Sequence, residues 1–193
     1  MDDGGARPEA PRLVAPAAQY HASFLTALAE YQGEERHLEL DLARMADPAE
    51  FARYVAALRA AVTDPEAPDR YVLSTFGVWP AAQQPETYVP QTVLWWAAGP
   101  EYLGRINIRH HLNEGLRMHG GNIGYEVRPG ARGQGHATAM LAAALPLAAA
   151  LGIAPALIDC DADNLASRRV IEKNGGVLVR EERDAVFFLV PTR

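Results

Sequence analysis

The chain has a single cysteine, Cys160, in 193 residues. No intrachain disulfide can form, which suits a reducing compartment. Basic residues are not in excess: 18 Lys and Arg against 24 Asp and Glu give a formal net charge of -6. That balance leaves no electrostatic footprint for nucleic acid. No apolar run reaches membrane-spanning length, because the Ala/Leu stretch at 137–151 is short and contains Pro146. Residues Met1 to Gly5 are acidic and lack an apolar core, so no signal peptide is expected there and the expected location is cytoplasmic. There is no internal repeat. Apolar residues make up 49% and charged residues 22%, which is ordinary globular composition and enough for one core. Residues 1–17, rich in Gly, Pro and Ala, are expected to form a loose arm ahead of one domain at 18–193.

Hydrophobic spacing predicts a helix from Gln19 to about Glu30 and a second one capped by Asp47, with Pro48 in its first turn. The second carries Phe51, Tyr54, Val55, Leu58 and Val62 at helical spacing and should stop at Pro65. Asp64–Asp69 reads as a proline-broken loop, and Tyr71–Pro90 as loop with one short extended piece. Thr92–Ala98, Tyr102–Arg109 and Asn122–Val127 read as strands of an antiparallel meander. Ala137–Leu151 is a helix that Pro146 should kink, and alanines on almost every face suggest close packing on a sheet. Pro155–Cys160 is a strand, Asn164–Asn174 a helix, and Val177–Val179 and Val186–Val190 close the chain as strands. The fold class is mixed α/β: a mostly antiparallel sheet with a parallel pair joined by the Ala/Leu helix.

The most informative segment is the strand Ile123–Val127, the turn at Arg128-Pro129-Gly130, and a glycine-spaced loop that opens directly into a helix. The first turn of a helix offers unpaired N–H groups and partial positive charge, a natural seat for pyrophosphate. Glycines at 133 and 135 keep β-carbons away from it. Gly130 and Gly135 have Walker A spacing, but His136-Ala137 stands where Lys-Ser/Thr is required. Gly133-x-Gly135 starts a dinucleotide fingerprint, yet Thr138 occupies the third glycine position.

What survives is Arg132-x-x-Gly135-x-Ala137, which resembles the coenzyme A loop of the GNAT superfamily of N-acetyltransferases. The resemblance runs from about Leu103 to Val179, and Gly104–Asn113 looks like a subgroup of predicted acetyltransferases. It implies a central pair of parallel strands that splay apart, with helices on both faces of the sheet. It also implies acetyl-CoA as co-substrate, held by Tyr125, Val127, Arg128, Arg132, Gly133, Gln134, Gly135, His136, Ala137 and Thr138. Asn164 and Ser167 would close the site. The implied activity is acetyl transfer to a primary amine of a small molecule or peptide, by direct attack in a ternary complex. A non-catalytic acyl-CoA sensor and a cofactor-free interaction protein remain as alternatives. The protein is expected to be a monomer or homodimer that engages neither nucleic acid nor membrane.

Two departures stand out. Ile171 occupies the position where the family often carries a tyrosine that protonates the leaving thiolate, and Gly176 replaces a phenylalanine. For a general base, Asp161, Asp159 and Glu126 are the candidates, with helix capping or pairing to Arg168 and Arg169 as the plainer reading of the aspartates. Asp159-x-Asp161-x-Asp163 imitates a calcium loop, but Asn164 and Val170 stand where glycine and a bidentate glutamate are needed. His110, His111, His119 and His136 have no metal-ligand spacing, so no metal is expected. Cys160 fits a core residue better than a nucleophile. Trp95 and Trp96 should present one indole to each sheet face.

Overall fold

The computed structural model describes residues 9–76 and 89–193. Two of its early helices begin at short polar side chains that cap them. Asp41 caps α2 (Leu42–Met45), and Asp47 accepts from Ala49 N at 2.7 Å to open α3 (Pro48–Ala60). Before them, a single 3-10 turn leads into α1 (His21–Gln32). α3 buries Phe51, Tyr54, Val55 and Leu58 as its spacing requires, while Val62 lies beyond its end and is exposed. The region read as loop from Asp64 onward instead forms α4 (Ala67–Phe76), with Tyr71 and Val72 buried. Pro68 is the second residue of that helix, where a missing N–H costs nothing, so the residue read as a breaker belongs to a helix start. The rest of that stretch, 77–88, lies outside the described residues.

The first sheet runs β1 (Arg12–Val14), β2 (Gln91–Ala98), β3 (Glu101–Arg109), β4 (Ile123–Val127), each pair antiparallel. β1 falls inside the segment expected to be a loose arm. Three residues pairing with Trp95–Ala97 are too short to show a period, but they shield the sheet edge. A short helix, α5 (Glu114–Met118), precedes β4. After β4 come α6 (His136–Ala150), β5 (Ala156–Asp161), α7 (Leu165–Lys173), β6 (Val177–Glu181) and β7 (Ala185–Val190). The last three strands form a second sheet in the order β5-β7-β6.

Alternation across β2 separates two cores. Trp95 packs with Phe24, Phe51 and Tyr102 under α1 and α3, while Trp96 joins Ile106, Met140 and Leu141 under α6. Both indoles are buried because both faces of the sheet are covered by helices. α6 is not enclosed on every side: Met140, Leu141, Ala144, Leu145 and Ala148 are buried, whereas Ala142, Ala143 and Leu147 face solvent. Its alanines reflect helix propensity as much as close packing. The helix continues through Pro146, on its exposed side.

The two sheets meet at Asn122, which is buried. Its N–H donates to Leu157 O at 2.6 Å, and its Oδ1 accepts from Leu157 N at 2.9 Å. Beside it, Gly121 has φ of 53°, and a β-carbon there would collide with the Leu157 carbonyl. That junction sits at the starts of β4 and β5. Beyond it no ladder joins the two strands, so they part and leave a cleft.

Candidate active site

At the far end of β4 the chain makes one 3-10 turn, Pro129–Ala131, and reaches Gly133 and Gly135 with φ of 76° and 85°. L side chains avoid that region, so glycine is required by conformation. A β-carbon at either position would meet nothing within 4 Å: the space in front of the loop is open. α6 then begins without a side-chain cap, leaving first-turn N–H groups for an anion.

A cavity of about 580 Å³ lies between β4, the glycine loop and α7. It is bounded by Tyr125, Glu126 and Val127 of β4, by Arg132, Gly133, Gly135, His136, Ala137 and Thr138, and by Asn164 and Ser167 where α7 begins. These residues, expected together from the sequence, line one cavity. Two expected cofactor residues lie elsewhere. Gln134 and Arg128 face a separate hollow of about 430 Å³, and the Arg128 guanidinium is buried against Glu30, with Nε donating to Oε2 at 3.0 Å. Arg128 therefore braces the loop instead of entering the cavity. Sequence reasoning also missed Arg169 and Lys173, which line the cavity from one face of α7 and add positive charge to it. Their i, i+4 spacing was the available signal.

Residues 34–177 match the Acetyltransferase (GNAT) domain family. The chain belongs to that family. It is an acyltransferase that uses acetyl-CoA as co-substrate. Among solved structures it resembles the microcin self-immunity acetyltransferase MccE in complex with acetyl-CoA and AMP. That pair has 11% identity and a TM-score of 0.59, covering 94% of this chain and 92% of that one. RimL, a ribosomal alpha-N-protein acetyltransferase, is 15% identical with a TM-score of 0.57, covering 99% and 98%. RimJ of Mycobacterium smegmatis, in complex with a CoA-disulfide, is 19% identical with a TM-score of 0.57, covering 96% and 86%. At these identities the likeness is one of fold. No curated protein sequence is significantly similar. Among the described residues, no helix is long and apolar enough to cross a membrane, and no three His, Cys, Asp or Glu side chains converge as metal ligands.

The GNAT fold sorts the three candidate bases by what already holds them. Glu126 is nearly enclosed, with Arg105 Nε at 2.6 Å, Arg36 Nη2 at 2.7 Å and His37 Nε2 at 2.9 Å. Burial would raise its pKa, but Arg105, His37 and Arg36 outweigh burial and bring it down to about 2. A carboxylate this well stabilised is a poor proton acceptor. Burial would lower His37, yet its bonds to Glu126 and Glu39 prevail and its pKa is raised. His37 adopts φ of 55°, uncommon for a side-chain-bearing residue, so the loop after α1 is bent to bring it inward. Arg36 and His37 gave no sequence signal, since they meet β4 across about 90 residues of chain. Asp159 is buried as well: its two oxygens accept from Gly120 N at 2.9 and 3.0 Å, with His119 nearby at 3.3 Å. It pins the turn that leads to Asn122. Asp161, at the open end of β5, is exposed and has no side-chain partner among the described residues. Neither aspartate pairs with Arg168, which bonds Glu172.

The two departures from the GNAT pattern are one structural fact. Ile171 is fully buried in the core and does not line the cavity. A β-carbon at residue 176 would sit 2.5 Å from Ile171 Cγ2 and 2.9 Å from its carbonyl oxygen. The backbone at Gly176 thus closes over Ile171. Among the hydroxyl-bearing residues that line the cavity, Tyr125 and Ser167 are paired, 2.8 Å apart. Burial pushes Tyr125 up to about 12, so it stays protonated at neutral pH. Cys160 lies partly buried behind Ser167, its thiol raised chiefly by burial, which makes it a weak nucleophile.

Proposed function

We propose that this chain transfers the acetyl group to a primary amine of a small molecule or peptide, by direct attack in a ternary complex. The observation that carries the reading is the cavity bounded by β4, the glycine loop and α7, into which the uncapped first turn of α6 opens. Acetyl-CoA supplies the activated acetyl group. Loop and α6 amides from Gly133 to Thr138 hold its pyrophosphate, and the β4 backbone polarises the thioester carbonyl. Asp161 takes the proton from the attacking amine, directly or through one water. Glu126 keeps the β4 side of the cleft rigid without moving a proton. Tyr125 and Ser167 offer hydrogen bonds to the departing thiolate, which leaves without a strong acid because its conjugate thiol has a pKa near about 8.5.

The test is release of coenzyme A thiol across a panel of small amines and of peptides with free α-amino groups, the acceptor type named for RimL. Use of hydroxyl or thiol acceptors with no amine turned over would take the transfer off nitrogen. With an accepted amine in hand, Asp161→Asn is expected to lower turnover about a hundredfold or more, with unchanged affinity for acetyl-CoA and a flattened acid-side pH profile. Wild-type turnover in that variant would exclude Asp161 as the base.

A further inference from the structure

Residues 30–37 meet residues 126–132 in three places, and in each the charges are complementary. Glu30 holds Arg128, Glu34 holds Arg132, and Arg36 with His37 holds Glu126. Two of these contacts are ordinary ion pairs. The contact at Glu30 differs, because one carboxylate grips both a side chain and the main chain of the turn that launches the phosphate loop. Oε2 accepts from Arg128 Nε at 3.0 Å and from Gly130 N at 2.9 Å, and Oε1 accepts from Arg128 Nη2 at 2.5 Å. The carboxylate also packs on the bare α-carbon of Gly130, where a β-carbon would lie 3.0 Å from Oε1. Within the turn, Ala131 N bonds Arg128 O at 3.0 Å and Arg132 N bonds Pro129 O at 3.2 Å. The direction in which the chain enters Gly133 is set there.

We propose that Glu30 is a positioning residue for coenzyme A: it fixes the 128–131 turn from α1 and so aims the loop amides at the pyrophosphate. Glu30 does not line the 580 Å³ cavity, and its charge is neutralised by Arg128, so it acts through the loop and not on the ligand. The proposal rests on the assignment of the pyrophosphate to the loop at 132–138. Three donors on one carboxylate also hold its pKa below the ordinary range, chiefly through Arg128. The grip therefore persists across the neutral range.

The experiment compares two ligands that share the pantetheine arm: coenzyme A by calorimetry, and pantetheine, which lacks the pyrophosphate, by saturation-transfer NMR. Glu30→Ala is expected to weaken coenzyme A about tenfold or more while leaving pantetheine within twofold. Glu30→Gln retains one acceptor for Gly130 N and the shape of the side chain, and should recover most of the loss. If Glu30→Ala does not fold, Glu30→Gln and Glu30→Asp carry the same comparison, with Asp too short to reach both partners. Equal weakening of both ligands, or unchanged coenzyme A affinity in all folded variants, overturns the proposal. Gly135→Val is run alongside: if it binds coenzyme A normally, or if the wild type does not bind it, the loop assignment itself fails. Loss in Gly135→Val with no loss at Glu30 overturns the Glu30 role alone.

Discussion

On the α6 side of β4, the cleft is bounded by main chain. Gly133 and Gly135 sit at left-handed φ with nothing within 4 Å of where their β-carbons would stand, and a fresh helix end presents N–H groups. On the other side it is bounded by side chains: Arg36, His37 and Arg105 crowd one carboxylate, Glu126. The first half is made by local backbone conformation and can be written in fifteen consecutive residues. The second half is assembled from α1's exit loop, β3 and β4, and exists only once these elements pack. Substitutions should accordingly cost binding on the first side and stability on the second.

The largest effect is expected at Gly135→Val. A β-branched residue at φ of 85° would fill the space proposed for a phosphate oxygen, so coenzyme A affinity should fall by more than about 4 kcal/mol, beyond calorimetric detection. Because no neighbour lies within 4 Å of that β-carbon, the fold should lose only about 1–2 kcal/mol of backbone strain. A melting transition lost together with binding would erase the contrast between the two sides.

Next is Glu126→Gln. Its carboxyl is held near 2 against an ordinary 4.5, a difference worth about 3 kcal/mol. A depressed carboxylate contributes fully above pH 4.5 and is lost as pH falls from 4.5 towards 2. His37 has the opposite sign: its raised pKa contributes below 6.5 and is lost as pH rises through its folded value. Glu126→Gln should therefore lower stability at pH 7 by about 3 kcal/mol and flatten the acid limb of a denaturation series followed by circular dichroism, with coenzyme A affinity little changed. An unaltered acid limb would show that the ion cluster does not carry that stability.

The smallest effect belongs to Glu34→Gln, on the seam between the two sides. Glu34 and Arg132 are both well exposed and joined by two bonds of 2.8 Å, an arrangement worth about 0–1 kcal/mol. Releasing Arg132 towards the cavity should tighten coenzyme A by a few-fold at low salt and leave the melting temperature unmoved. Weaker binding would mean that the Glu34 pair holds Arg132 in its productive position.

What could be read in advance follows the same division. The strand–glycine loop–helix run, the Asp47 cap and the alternating strands are local patterns, and each formed where its residues demanded. α4 was missed because proline and aspartate mark both loops and helix starts, and only the packing of Tyr71 and Val72 tells them apart. β1 is too short to carry a period. Arg128 looked like a phosphate ligand from its place beside the loop, but its direction depends on Glu30, 98 residues earlier. Asp159 and Asp161 are equivalent on paper, two residues apart on one strand. Packing buries the first against Gly120 and leaves the second in solvent.

The family, the co-substrate and the left-handed glycine loop ahead of α6 were legible in the residues alone, because glycine conformation and helix-end polarity act within a few residues. Only packing settled which carboxylate stays unpaired, that Ile171 is buried away from the cavity, and how α1 braces the loop. Those outcomes depend on burial and on charges brought together from distant parts of the chain, and neither is defined until the sheet and its helices have closed.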